Sequence, residues 1–186
     1  MAASTTHRSA EAQKVLDNID ALLPDFAQRA QATEDARRVS DESAQQLQEA
    51  GFFKLLQPEQ WNGYQCDPVS FYEAVRRIAS ACGSAGWVAG IIGVHNWHLA
   101  LFDQQAQEEV WGKDTDVRIS SSYAPMGIGE VVDGGYKVNG NWAFSSGCDL
   151  ADWTFVGGPV IKDGRPVDFV SYLLPREDYT IKDVWN

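Results

Sequence analysis

Two histidines within a run of apolar residues are the first side chains whose type and spacing could support chemistry. His95 and His98 lie three positions apart, a spacing that places both side chains on one side of a helix. A neutral imidazole can polarise or deprotonate a bound phenol at ordinary pH. A core histidine satisfied by a backbone or water partner gives the same pattern, so the residues alone leave both interpretations open.

Three common kinds of catalytic or nucleotide site are not supported by the sequence. The segment His95-Asn96-Trp97-His98 differs from the HExxH pattern of zinc hydrolases, and the predicted helix around it carries no Asp or Glu at metal-ligand spacing. The chain has no GxSxG nucleophile elbow. Gly127-Ile128-Gly129-Glu130 lacks the third glycine of a dinucleotide-binding motif. We therefore expect no bound metal.

Two clusters of hydroxyl groups are further candidates. Ser120, Ser121 and Ser122 lie in a predicted strand, and Ser145 and Ser146 follow an aromatic segment. Because side chains alternate along a strand, Ser121 can point opposite to its two neighbours. The pattern alone favours an exposed polar face or a sheet edge over a site.

Aromatic residues are numerous around these histidines and serines. They would suit a flat ring ligand held between apolar walls and a few polar groups, but core packing explains them equally well. The set comprises Trp87, Trp97, Tyr123, Trp142, Phe144 and Trp153.

The first part of the chain has the periodicity of helices. Apolar residues at steps of three and four predict a helix over 11–30, kinked at Pro24. Ser40 is predicted to cap a second helix that ends at Gly51. Asp67-Pro68 should begin a third, and 87–102 is apolar almost all round, as in a helix central to a domain or an oligomer. The predicted inner face of the third helix comprises Tyr72, Val75, Ala79 and Cys82.

The second part alternates in the manner of strands and has turn residues at hairpin positions. Asp133-Gly134, Asn139-Gly140 and Asp163-Gly164 are predicted turns. The order of elements predicts an α+β fold, with a helical domain over 1–114 followed by an antiparallel β-domain over 115–186. The predicted strands are 118–123, 130–132, 136–138, 142–144, 153–161 and 167–174.

Charge and cysteine content limit the classes of partner. The net charge of −11 argues against nucleic acid and anionic membranes. Three cysteines at irregular spacing favour a reduced, cytoplasmic protein, and the first residues do not resemble a secretory leader. The strand pattern still runs at the last residues, which leads us to expect a fragment, or a chain whose sheet edge needs a partner.

Four segments together resemble a known family: 83–88, 93–98, 119–125 and 134–148. They are similar to the oxygenase components of two-component flavin monooxygenases, which are built on the acyl-CoA dehydrogenase fold. The resemblance covers almost the whole chain after the first few residues. It implies that the chain is the N-terminal half of such a protein, without the C-terminal four-helix bundle.

Two departures from the dehydrogenases of the same fold favour a monooxygenase. Where those enzymes have a Thr-Glu-Pro-Gly-Ala-Gly-Ser-Asp run, this chain has 121–127, Ser-Ser-Tyr-Ala-Pro-Met-Gly. Phe144-Ser145-Ser146 replaces their Trp-Ile-Thr-Asn type of segment. A flavin-dependent acyl-CoA dehydrogenase remains the alternative enzyme, and a non-catalytic association module is the alternative without chemistry.

The resemblance also implies the reaction and its cofactors. A reduced flavin, FMNH2 or FADH2, would come from a separate reductase and react with O2, and the substrate would be a phenolic secosteroid hydroxylated ortho to its hydroxyl in steroid catabolism. The choice between FMN and FAD stays open. In full-length members the C-terminal bundle completes the flavin site and forms the tetramer, so the resemblance implies that this chain by itself binds flavin weakly and turns over poorly.

Roles for individual residues follow from the same resemblance. His95 and Ser121 would contact the substrate hydroxyl, and Ser146 would lie near N5 of the flavin. The implied flavin-contacting residues are Trp87, Ser121, Ser122, Tyr123, Phe144, Ser145 and Ser146.

Overall fold

A computed structural model describes residues 9–184, which divide into a helical unit over 9–117 and a sheet unit over 118–184. The predicted order of helices followed by a sheet is confirmed. The initial residues, for which we expected no leader, and the end of the last predicted segment at 185–186 lie outside the described part. The helices are α1 (Ala10–Ala36), α2 (Asp41–Glu49), α3 (Pro68–Ala81), α4 (Gly83–Leu99) and α5 (Gln104–Trp111).

Side-chain caps begin the first three helices. The Oγ of Ser9 accepts a hydrogen bond from the backbone N–H of Ala12, so α1 begins close to the predicted residue. It continues through Pro24 and ends at Ala36, beyond the predicted end. Ser40 caps α2 and Asp67 caps α3, each accepting from the backbone N–H three residues later, as predicted.

The buried face of α3 differs from the predicted one. Its most deeply buried apolar side chains belong to Phe71, Ala74 and Ile78, whereas Tyr72 is 60% exposed. For Tyr72, Val75 and Ala79 the prediction placed the core stripe one position too late, which is a rotation of about 100° on a helix. The fourth predicted residue, Cys82, is buried as predicted. The large ring of Phe71 takes the central place, packed on Phe52 with ring centroids 5.4 Å apart.

Helices α3 and α4 are joined by Cys82 alone, which is the C-cap of the first and the N-cap of the second. Two glycines let the helices approach closely. A Cβ on Gly86 would lie 2.5 Å from the Cβ of Ala79, and one on Gly93 would lie 2.7 Å from Cε2 of Phe71. The absence of side chains at these two positions therefore sets the distance between the helices.

Helix α4 has no polar face, as predicted, but it is not enclosed on every side. Ala85, Ala89 and Ile92 are buried, whereas Trp87 is 64% and Trp97 is 51% exposed. Among the described residues no helix is both long and apolar enough to cross a membrane.

The sheet is mixed rather than purely antiparallel, which corrects one feature of the prediction. Strand β4 pairs antiparallel with β5 and parallel with both β1 and β2, and β2 pairs antiparallel with β3. Tight turns force the two hairpins to be antiparallel, whereas the long connections from β1 and β2 to β4 allow parallel pairing. The strands are β1 (Ile119–Ser122), β2 (Gly127–Val132), β3 (Gly135–Gly140), β4 (Trp153–Lys162) and β5 (Arg165–Pro175).

The two hairpin turns lie where the sequence predicts them. Gly134 ends the β2–β3 turn with φ of 79°, and Asp163-Gly164 has positive φ at both residues. The strand predicted over 142–144 is wrong, because this segment has no regular structure between β3 and the short 3₁₀ turn Cys148–Leu150. Trp142 instead packs against the small apolar core of the sheet unit.

Candidate functional site

The three serines of β1 are buried, so they do not form an exposed polar face. The other arrangement that the pattern favoured is confirmed, because β1 lies at one edge of the described sheet and pairs with β4. Ser120 donates from Oγ to Oγ1 of Thr154 on β4 at 3.0 Å. Ser122 donates from Oγ to the carbonyl oxygen of Ala143 at 2.6 Å. Ser121 instead hydrogen-bonds with Tyr123, two residues along the strand. The predicted alternation is therefore confirmed, with Ser121 on the face opposite to its neighbours.

The phenol of Tyr123 ionises only at high pH. Burial raises the pKa of Tyr123 to about 12, and the hydrogen bond with Ser121 opposes part of that rise. Near neutral pH this pair is therefore uncharged, and its hydroxyls can act only through hydrogen bonds.

The segment between β3 and the Cys148–Leu150 turn is held on both sides of Phe144. The indole N–H of Trp142 donates to the carbonyl oxygen of Gly157 at 2.8 Å. After Phe144, the hydroxyls of Ser145 and Ser120 lie 3.4 Å apart. A loop held at both ends can support an unusual conformation at its centre.

Phe144 has that unusual conformation. Its φ is 59°, in the left-handed region, and its side chain is 86% exposed. A left-handed backbone at a residue with a side chain costs about 1–3 kcal/mol and persists where the surroundings impose it, often at functional sites. The sheet unit therefore presents an aromatic ring to solvent from a strained and well-held position.

The structure thus brings the predicted segment Ser121–Tyr123 next to the predicted segment Phe144–Ser146, through contacts between β1 and the loop. Ser122 hydrogen-bonds to Ala143 and Ser120 to Ser145, whereas Ser121 lies on the other face of β1. Ser120 was not among the predicted site residues. Its strand position gave a signal, because it shares a face with Ser122, but its contact with Ser145 depends on the tertiary structure.

The helical unit carries the other two predicted residues, Trp87 and His95, both on α4. The imidazole of His95 is 2% exposed, and the adjacent Asn96 is 1% exposed. Burial lowers the pKa of His98, whose ring packs edge-on against Phe102 with centroids 5.4 Å apart.

Clustered His, Cys, Asp and Glu side chains are the common metal ligands of proteins. Over residues 9–184 no group of three of these side chains could hold a metal ion.

Comparison with known proteins assigns the family. Residues 9–114 match the model of the acyl-CoA dehydrogenase N-terminal domain. The chain belongs to the acyl-CoA dehydrogenase family. The matched residues make up nearly all of the described helical unit.

The chain is similar to the HsaA oxygenase subunit of the flavin-dependent monooxygenase in two organisms. It is 75% identical to the protein from Rhodococcus jostii over 92% of its length. It is 68% identical to the protein from Mycobacterium tuberculosis over 97% of its length. The chain covers 45% and 46% of these relatives, and so spans about half of their length.

A solved structure agrees with this similarity. The chain superposes on the crystal structure of 3-HSA hydroxylase from Rhodococcus sp. RHA1 with a TM-score of 0.91 and 74% identity. The match covers 93% of this chain and 45% of that one. The acyl-CoA dehydrogenase fold of both units is therefore shared with that hydroxylase.

Proposed function

We propose that the chain is part of the oxygenase component of a two-component flavin-dependent monooxygenase. Its substrate is the phenolic secosteroid 3-hydroxy-9,10-secoandrostatrienedione, which is hydroxylated ortho to its hydroxyl to give a catechol during steroid degradation. The observation that carries this proposal is the 75% identity, over 92% of the chain, to the HsaA oxygenase subunit of the flavin-dependent monooxygenase from Rhodococcus jostii. Similarity to a solved 3-HSA hydroxylase supports the same substrate.

The sheet unit has features that fit a flavin. Ser122 and Ser145 hold the loop that exposes Phe144, and an exposed ring next to hydroxyl groups suits a flat heteroaromatic ligand. We assign flavin contacts to Ser121–Tyr123 and Phe144–Ser146, with Trp87 of α4 as a further contact. A reduced flavin, FMNH2 or FADH2, delivered by a separate reductase, supplies the oxygen chemistry with O2.

The chain's own residues have the task of activating and orienting the phenol. His95 and Ser121 hydrogen-bond its hydroxyl and draw it toward phenolate, which makes the ortho carbon more nucleophilic. The near-complete burial of His95 suits this role, because the hydrogen bond acts in the absence of competing water. Ser146 contributes its hydroxyl on the flavin side of the site.

The experiment is a coupled assay in which the complete protein is mixed with a flavin reductase, NADH and the phenolic secosteroid. We expect a catechol whose new oxygen comes from labelled O2. Replacing His95 or Ser146 with alanine should lower hydroxylation roughly ten- to a hundredfold, since each loses about 1–3 kcal/mol of hydrogen bonding. Full activity of both variants would refute these two roles.

A dehydrogenase function is the second candidate, because the family model that matches 9–114 is that of acyl-CoA dehydrogenases. Acyl-CoA thioesters tested with an artificial electron acceptor separate the two functions. Reduction of the acceptor without any O2-dependent hydroxylation would replace the proposed function with this one.

A further inference from the structure

We propose that Asn96 is a positioning residue for His95, because its side-chain amide fixes the part of α4 that carries the histidine. The proposal rests on the proposed function, in which His95 contacts the substrate hydroxyl. It assigns Asn96 no contact with the substrate or the cofactor.

The side chain of Asn96 makes one short, buried hydrogen bond. Its Nδ2 donates to the carbonyl oxygen of Phe53 at 2.6 Å, across a sequence separation of 43 residues. The Oδ1 of the same amide is buried and has no hydrogen-bond partner within residues 9–184. A buried amide that is only half satisfied is an unfavourable way to fill space, since an apolar side chain of similar shape would avoid the unsatisfied oxygen. We therefore infer that this hydrogen bond serves to orient α4 and not merely to fill space.

The acceptor belongs to a firmly held segment. Phe52 and Phe53 form a 3₁₀ turn that starts after Gly51, whose φ is 82°. The two phenylalanine rings pack edge-on with centroids 5.3 Å apart, and Phe52 is fully buried. The carbonyl oxygen of Phe53 is thus a fixed point against which α4 can be held.

A second contact with the same turn lies one helical turn before Asn96. A Cβ added to Gly93 would lie 3.0 Å from Cε1 of Phe52 and 2.7 Å from Cε2 of Phe71. Gly93 and Asn96 therefore hold α4 at two points on either side of His95. Two points fix both the rotation of the helix and its position along its axis, and with them the place of the imidazole.

The test compares two asparagines that make the same kind of hydrogen bond. Asn18 also donates from Nδ2 to a backbone carbonyl, that of Ala50, at 3.2 Å. We would prepare Asn96→Leu and Asn18→Leu in the complete protein. Four quantities are measured: kcat and KM for hydroxylation, the melting temperature, and the absorbance of the bound phenol without flavin, which reports its ionisation.

We expect Asn96→Leu to lower kcat roughly 10- to 100-fold, as small misplacements of catalytic groups do, while KM changes less than about threefold. The phenolate fraction of the bound phenol should fall in parallel. Asn18→Leu should keep kcat and the phenolate signal within about twofold, whatever its melting temperature. Unchanged kcat and phenolate signal in folded Asn96→Leu would overturn the proposal, as would equal losses in both variants that follow their melting temperatures.

A second pair of variants covers the case in which Asn96→Leu does not fold. Gly93→Ala displaces the same part of α4, whereas a Cβ at Gly90 meets Val75 only at an ordinary 3.4 Å. Loss of phenolate signal in Gly93→Ala alone supports positioning through this part of α4, and equal signals in both variants contradict it. Absence of hydroxylation and of phenolate signal in the unaltered protein would instead refute the proposed function itself.

Discussion

The hydroxyl of Ser122 donates a hydrogen bond to the carbonyl oxygen of Ala143, with 2.6 Å between the two oxygens. This bond joins the end of β1 to the residue that precedes Phe144. Because the backbone of Phe144 is in the left-handed region, the loop needs such a support to keep the ring exposed. Stability and ligand binding of the sheet unit should therefore both depend on this bond.

Ser122→Ala removes the donor and leaves the Ala143 carbonyl unsatisfied. We expect a loss of about 1–3 kcal/mol in the free energy of unfolding, measured by urea denaturation, and weaker flavin binding, measured by flavin fluorescence. The control is Ser80→Ala, since Ser80 also donates to a carbonyl oxygen, that of Arg77 at 2.7 Å, but in an exposed position. It should cost less than about 0.5 kcal/mol. Equal costs for both variants would contradict the support role.

Ser121→Ala should raise the pKa of Tyr123 further. The tyrosine ionises at about 12 because burial disfavours its charged form, and the hydrogen bond with Ser121 lowers this value. Because the pKa is raised in the folded state, the contribution of Tyr123 to stability is fully present below a pH of about 10, the ordinary pKa of tyrosine. It is lost as the pH rises toward about 12. Tyrosinate absorbance after a rapid pH jump measures this, with Tyr123→Phe as the reference. A lower pKa in Ser121→Ala would show that the hydrogen bond is absent.

Gly93→Ala should destabilise the helical unit, because the added methyl group would meet the rings of Phe71 and Phe52. We expect a cost of about 1–3 kcal/mol from overpacking. Gly90→Ala on the same helix meets only an ordinary contact with Val75, so it should be neutral or stabilise by up to about 1 kcal/mol through helix propensity. The urea concentrations at the unfolding midpoints of Gly93→Ala and Gly90→Ala measure this difference. A Gly93→Ala variant as stable as the unaltered protein would mean that α3 and α4 can separate easily.

Glu73→Gln should reduce stability at neutral pH and have no effect in strong acid. Hydrogen bonds from Arg76, and then from Arg77, lower the pKa of Glu73 from 4.5 to about 2. Since a depressed carboxyl pKa stabilises the folded state above the unfolded pKa, the contribution is lost as the pH falls from 4.5 to about 2.

The arginines are partly exposed to solvent, so we expect only about 1 kcal/mol from the carboxylate of Glu73. Thermal unfolding of Glu73→Gln across this pH range measures the contribution. Glu49→Gln serves as the control, because within residues 9–184 Glu49 accepts a hydrogen bond only from the uncharged amide of Gln45. A stability difference that persisted unchanged in acid would argue against the ion pair as its source.

Local signals in the sequence predicted the parts of the fold that depend on few neighbouring residues. The caps Ser40 and Asp67 and the turns at Asp133-Gly134 and Asp163-Gly164 were found because each needs a particular side chain or a positive φ. The parallel pairing of β1 with β4 was missed, since Ser120 meets Thr154 across 34 residues. Sequence alternation fixes which face a residue is on, but not which strand lies beside it.

Only part of the candidate site could be predicted, because sequence patterns do not show which residues are neighbours in the tertiary structure. The serines of β1 stood out as a cluster, whereas the strained backbone of Phe144 could not be foreseen, because an aromatic residue rarely adopts a positive φ. Asn96 looked only like a polar interruption of an apolar helix. Its partner is the backbone carbonyl of Phe53. Every residue carries such an acceptor, so the sequence does not indicate which one is used.

The single residue between α3 and α4 has a consequence for how this part of the chain can change during evolution. Cys82 serves both helix ends, so no loop is available to absorb an inserted or deleted residue. One extra residue would turn α4 by about 100° against its neighbours, moving Gly86 away from Ala79 and His95 away from its present direction. We expect homologous chains to vary in length before Pro68 or after Leu99, and to keep the same number of residues between these positions.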